Sequence, residues 1–212
     1  FGRRGTPTFL DFYSNQQGNY NVFVTGVSGS GKSVAMNEVV SAYRGIGARV
    51  WVIDVGRSYQ NLIRLQKGTF LEFTPSTRLC INPFSWVGTD DELDFKAEMR
   101  MLKPMIGRMA SPNAPLTEFQ YALIGEAITA VWNDYGQETN PTRIRDYLLD
   151  KIKNESGGTE RVAYELAKQL LPFTREGVYG DFFNGRANIS LDDDMVGLEL
   201  EELKNAPELR RV

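Results

Sequence analysis

The sequence contains no histidine and a single cysteine, Cys80. Without histidine there is no Ser-His-Asp or Cys-His nucleophile, no zinc-protease helix and no histidine phosphorelay. One cysteine makes neither a disulfide framework nor a thiolate zinc cluster. Cys80 lies beside Ile81 in an apolar stretch and reads as an inert buried thiol, in keeping with a reducing, cytosolic setting. No apolar run reaches the roughly 18 residues that mark a membrane span. No secretory leader opens the chain, which begins FGRRG without Met and so reads as a piece of a longer protein. Basic residues are also few. The 24 Lys and Arg against 27 Asp and Glu leave a net charge of −3, which gives no global nucleic-acid footprint, although a local basic loop is allowed.

What is present is ordinary for a globular protein: 212 residues, 42% hydrophobic and 24% charged, enough to bury a core in one domain with a substantial insertion. Against that background one stretch dominates, NVFVTGVSGSGKS at 21–33. Its last eight residues complete a G-x-x-x-x-G-K-S phosphate loop. Val22, Phe23 and Val24 predict a short buried central strand feeding that loop. Gly26, Gly29 and Gly31 let the backbone wrap closely around an anion, with successive N–H groups pointing inward. The helix that follows adds its positive end. Lys32 supplies a point charge for the β- and γ-phosphates, and the Ser33 hydroxyl can ligate Mg²⁺. The expected ligands are therefore a nucleoside triphosphate and Mg²⁺.

The remaining chain reads as strands, then helices, then a strand. Phe9, Leu10, Phe12 and Tyr13 suggest a strand or hairpin ahead of the loop. Val39, Val40, Tyr43 and Ile46 recur at helical spacing, and Gly45 and Gly47 end that helix. The run RVWVID at 49–54 predicts a buried strand closing on Asp54. An apolar run plus Asp imitates a Walker B strand and Mg²⁺ ligand, but it follows Lys32 after one helix and precedes Val55 rather than Glu. The order of elements favours an acid that positions Arg57, Ser58 or Tyr59 near the nucleotide edge. TFLEF at 69–73 predicts a third strand, and CINPF at 80–84 an extended turn before proline.

From about 90 to 171 helical periodicity replaces strand signals. Leu93, Ala97, Met101 and Met105 mark one helix. Thr117 and Gln120 form a capping box for a second, which carries Leu123, Ile124, Ala127, Ile128, Val131, Trp132 and Tyr135. Pro141 opens a third with Ile144, Tyr147 and Leu148 inward. Val162, Leu166 and Leu170 mark a fourth, stopped by Pro172. This is a helical bundle inserted in an α/β core. A glycine–aromatic loop follows at 177–185, and MVGLEL at 195–200 returns to the sheet. Glu201 and Glu202 after it imitate a Walker B pair, but Glu199 interrupts the apolar run and an Asp is missing, so they read as a solvated strand end.

With these pieces in hand the chain resembles the C-terminal ATPase domain of the TraC-type ATPases of conjugative type IV secretion, within the FtsK/HerA branch of RecA-like ATPases. The resemblance rests on NYN at 19–21 leading into the phosphate loop, VIDVGRSY at 52–59, INPF at 81–84, the helical segment, FTREGVYGDFFNG at 173–185 and VGLELEEL at 196–203. These span nearly the whole chain in the family's order. The resemblance implies a RecA-like P-loop core over 1–88, a helical insertion over 89–172 and a return to the core over 173–212, with ATP held at Gly26, Ser28, Gly29, Ser30, Gly31, Lys32 and Ser33. It also implies a hexameric motor on the cytoplasmic side. Such a motor would be peripheral to the inner membrane, act with other secretion-channel proteins and power pilus assembly and substrate transfer. The family's Walker B Asp-Glu pair and polar sensor would lie beyond Val212, so the general base is expected outside this chain. Arg175 and Arg186 are candidates for an arginine acting in trans. Two other readings compete: a DNA translocase or coupling protein of the same branch, and an interaction module without turnover.

Overall fold

The computed structural model describes residues 11–14, 18–74, 77–88, 92–154, 158–189, 192–206 and 208–209. It divides into two compact units, Phe1–Ala48 and Arg49–Val212.

The first unit is built on α1, Lys32–Gly45. The helix stops where Gly47 takes φ 87°, a left-handed conformation that costs glycine little. There the Gly47 N–H donates to Arg44 O at 2.9 Å and the Ala48 N–H to Tyr43 O at 3.0 Å. Tyr43 anchors the N-terminal side: its hydroxyl accepts the Phe12 N–H at 2.9 Å, and its ring meets Tyr13 edge-on at 5.4 Å. Phe9 and Leu10 of the expected strand lie outside the described residues, and the segment that follows closes as a turn, Ser14 N–H to Asp11 O at 3.3 Å.

The run at 22–24 corrects the sequence expectation. It forms no strand among the described residues, and Phe23 is 92% exposed. Aromatic and β-branched residues favour a strand only where a neighbour takes up the backbone groups and covers a face. No described strand pairs with this one.

The second unit contains β1 (Val50–Asp54), α2 (Gln60–Leu65), β2 (Thr69–Glu72) and β3 (Met195–Glu199). The strands form a parallel sheet in the order β1-β3-β2. The three strands expected over 49–54, 69–73 and 195–200 are present, but the first is not buried as expected. In β1 only Val52 is buried, while Trp51 and Ile53 point to solvent. The last strand in sequence takes the centre, and there Gly197 has a steric reason. A Cβ at Gly197 would stand 2.1 Å from Ile63 Cδ1, so glycine lets α2 lie directly on the sheet.

The crossover from β2 to β3 carries the helices. These are α3 (Glu92–Ala110), α4 (Glu118–Tyr135), α5 (Pro141–Asn154) and α6 (Gly158–Leu170). The capping box at Thr117 is formed in both directions. Gln120 N–H donates to Thr117 Oγ1 at 3.2 Å, and Thr117 N–H to Gln120 Oε1 at 2.9 Å. In α3 the buried stripe is Phe95, Leu102, Ile106 and Met109, whereas Met101 is 73% exposed. Steps of four drift about 40° each around a helix, so alternating threes and fours track the core face better. The helices share one core with the sheet, where Leu71 and Leu198 pack against the cluster of Ile106, Ile128, Leu148 and Leu166. Within it Phe95 stacks on Trp132, ring centroids 4.8 Å apart.

Candidate functional site

In the first unit the phosphate loop turns at Ser28 and Gly29 and enters α1 through Gly31. Gly29 and Gly31 hold φ 78° and 85°, which a side chain with a Cβ adopts only under strain. A Cβ at Gly26 would lie 2.6 Å from Ser30 Oγ, so a side chain there would turn the Ser30 hydroxyl aside. Ser30 N–H donates to Val27 O at 3.2 Å, closing the loop. The amides of 32–34 open the helix and have no intrahelical acceptor. No side chain caps them, and no acid stands in the first turn to repel an anion.

Lys32 folds back over the loop, its Nζ donating to Gly26 O at 3.4 Å. That long contact is easily exchanged for a charged acceptor. Ser33 is exposed beside it. The loop thus brings Gly26, Ser28, Gly29, Ser30, Gly31, Lys32 and Ser33 into one exposed cradle of N–H donors and one cation. The donor set fits a polyphosphate. It also fits a Mg²⁺ that takes Ser33 Oγ as its protein ligand and the rest from phosphate and water.

Asp54 and Arg57 belong to the second unit. Asp54 Oδ2 accepts the Ser58 N–H at 2.6 Å across the turn after β1. Burial, and then the charge of Asp54, push the Tyr59 phenol above its ordinary range and keep it neutral. Arg57, itself at φ 59°, is held by Glu72 at 3.3 Å and Glu202 at 3.2 Å.

The residue that sequence reasoning missed is Glu199. Read as an interruption of an apolar run, it is instead buried to 1% exposure at the end of β3. Its carboxylate accepts Gly56 N–H at 3.1 Å, Arg57 N–H at 2.6 Å and Glu201 N–H at 2.8 Å. A buried charge is tolerable when its lone pairs are filled in this way. The solvated end expected of Glu201 and Glu202 holds for Glu202, which is exposed. Glu201 is half-buried and bound by Lys204 at 2.7 Å, and Glu202 is paired with Arg57. A glutamate inside VGLELEEL signals its burial only through the apolar residues on either side.

Glu199→Ala should lower stability by about 2–4 kcal/mol, because three amides lose their acceptor in a confined place. Glu199→Gln, which keeps one acceptor oxygen, should lose less. Urea unfolding that left both variants at the parent midpoint would remove Glu199 from its role in holding this turn.

Arg175 and Arg186 come together, with Arg143, on the lining of one cavity in the second unit.

The model of the TraG P-loop domain family matches residues 3–212. Protein TraC of Escherichia coli (strain K12) is 31% identical over 218 residues, covering 97% of this chain and 23% of TraC. The structure of VirB4 of Thermoanaerobacter pseudethanolicus superposes with a TM-score of 0.79 at 18% identity, over 96% of this chain and 56% of that one. The chain therefore spans about a quarter of the one relative and just over half of the other. The parallel sheet with its helices and the likeness to VirB4 agree on the α/β, RecA-like P-loop fold expected from the sequence.

Proposed function

Because the chain belongs to the TraG P-loop domain family, we propose that it is the ATP-binding part of an ATPase motor of conjugative type IV secretion. The observation that carries this reading is the cradle at Gly26–Ser33, with two left-handed glycines, uncapped helix amides and one exposed lysine. Lys32 takes the β- and γ-phosphates, the amides of 29–33 hold phosphate oxygens, and Ser33 reaches Mg²⁺, which neutralises charge on the transferred group. In the longer protein the domain works as a hexamer with other secretion-channel proteins, on the cytoplasmic side and peripheral to the inner membrane. Among the described residues no helix is long and apolar enough to cross a membrane.

Hydrolysis also needs a carboxylate that orients water. The strand-end acids of this chain already have other partners. Asp54 holds Ser58, Glu199 holds three amides, and Glu202 and Glu72 hold Arg57. We place the general base outside residues 1–212.

Calorimetric titration of the chain should show MgATP bound more tightly than AMP, since most donors face the β- and γ-phosphates. Equal affinities would defeat the reading. A DNA translocase would instead bind DNA with a salt slope implying release of about six or more counterions. The net charge of −3 argues for a shallower slope.

A further inference from the structure

The cavity that gathers the arginines has a volume of about 460 Å³, within the roughly 300–1,000 Å³ of small-molecule sites. Its wall includes Glu138, Asn140, Arg143, Arg175, Asn184 and Arg186. Three guanidinium groups face one carboxylate. Glu138 is taken by Arg143 at 2.9 Å, and Arg143 also lies over the Tyr135 ring at 3.9 Å. The asparagines are committed to neighbouring backbone and to the Thr142 hydroxyl, which donates to Asn184 Oδ1 at 2.6 Å. Asn184 donates to Phe173 O and Gly180 O at 2.8 Å each, and its Oδ1 accepts the Thr142 N–H at 3.1 Å. Asn140 accepts the Arg143 N–H at 3.1 Å and donates to Glu138 O at 2.9 Å. These contacts make a rigid wall around Arg175 and Arg186. Among the described residues neither of those two guanidinium groups has an acceptor. The N-terminal end of α5, at Pro141 beside Asn140, adds positive potential to the same place.

We propose that this cavity is a second anion site, built from residues other than the phosphate loop, that takes a phosphate-bearing small molecule between Arg175 and Arg186. Planar guanidinium forks match phosphoryl oxygens, and a dianion answers the surplus of two positive charges better than a carboxylate does.

The test uses the 212-residue chain carrying Lys32→Ala, which removes the loop's cation, so its outcome does not depend on whether the loop binds ATP. Pyrophosphate titrated by calorimetry at low salt should still bind to this variant. Adding Arg175→Gln and Arg186→Gln should weaken that binding by about tenfold or more, in line with losing two charge-assisted contacts. Both side chains are exposed, so the fold should survive, and an unchanged circular dichroism melt would confirm it. Acetate should bind the Lys32→Ala chain at least about tenfold more weakly than pyrophosphate. Loss of pyrophosphate binding in Lys32→Ala alone would overturn the proposal. So would unchanged affinity after the arginine substitutions, or acetate binding as well as pyrophosphate.

Discussion

Lys32→Ala is expected to lower MgATP affinity by about a hundredfold or more and to leave the fold intact. A lysine charge about 4 Å from a phosphate contributes on the order of 4 kcal/mol near a protein surface, and about 2.7 kcal/mol already gives a hundredfold. Nothing of comparable size is lost from the folded chain. Lys32 is exposed, and its contact with Gly26 O is long at 3.4 Å. The helix it opens keeps its backbone bonds, including Ala35 N–H to Gly31 O at 2.9 Å. Calorimetry on the variant, paired with a thermal melt, separates the two effects. Parent-like affinity in a folded variant would show that the loop is not the triphosphate site.

The second large effect concerns turnover. The 212-residue chain is expected to release phosphate from ATP at close to the uncatalysed background. Missing general-base assistance costs on the order of 10²–10⁴ in rate, and a missing trans arginine on the order of 10³–10⁵. The phosphate loop can still hold the nucleotide, so binding and hydrolysis should part company here. In the longer protein the rate should rise by these factors. Robust turnover by residues 1–212, abolished by Asp54→Ala, would contradict this. Asp54 would then be a catalytic carboxylate and not the acid that fixes Ser58.

The parts of this molecule that were legible in its sequence are those whose physics is local. The phosphate loop is one: its glycines, Lys32 and Ser33 act within a few residues of each other, and the geometry at Gly29 and Gly31 follows directly. The capping box at Thr117 and the helix start at Pro141 are others. What was misread depends on distant partners. A strand at 22–24 needs a neighbour to pair with, and its residues alone cannot supply one. Glu199 looks like a solvent-facing interruption until the amides of Gly56 and Arg57 arrive from more than 140 residues earlier in the chain. Gly197 is explained only by Ile63 pressing on the central strand. The arginine cavity is assembled from the start of α5 and a loop some 30 residues later, a distance that no periodicity spans.

The central claim is that the loop at Gly26–Ser33 holds the triphosphate. Amide chemical shifts of the labelled chain, followed while MgATP is added, test it most directly. The account predicts that the N–H signals of Gly29, Gly31, Lys32 and Ser33 move first and furthest, and that these shifts vanish in Lys32→Ala. Shifts confined to residues 55–59 or to the arginine cavity, with the loop unmoved, would contradict it.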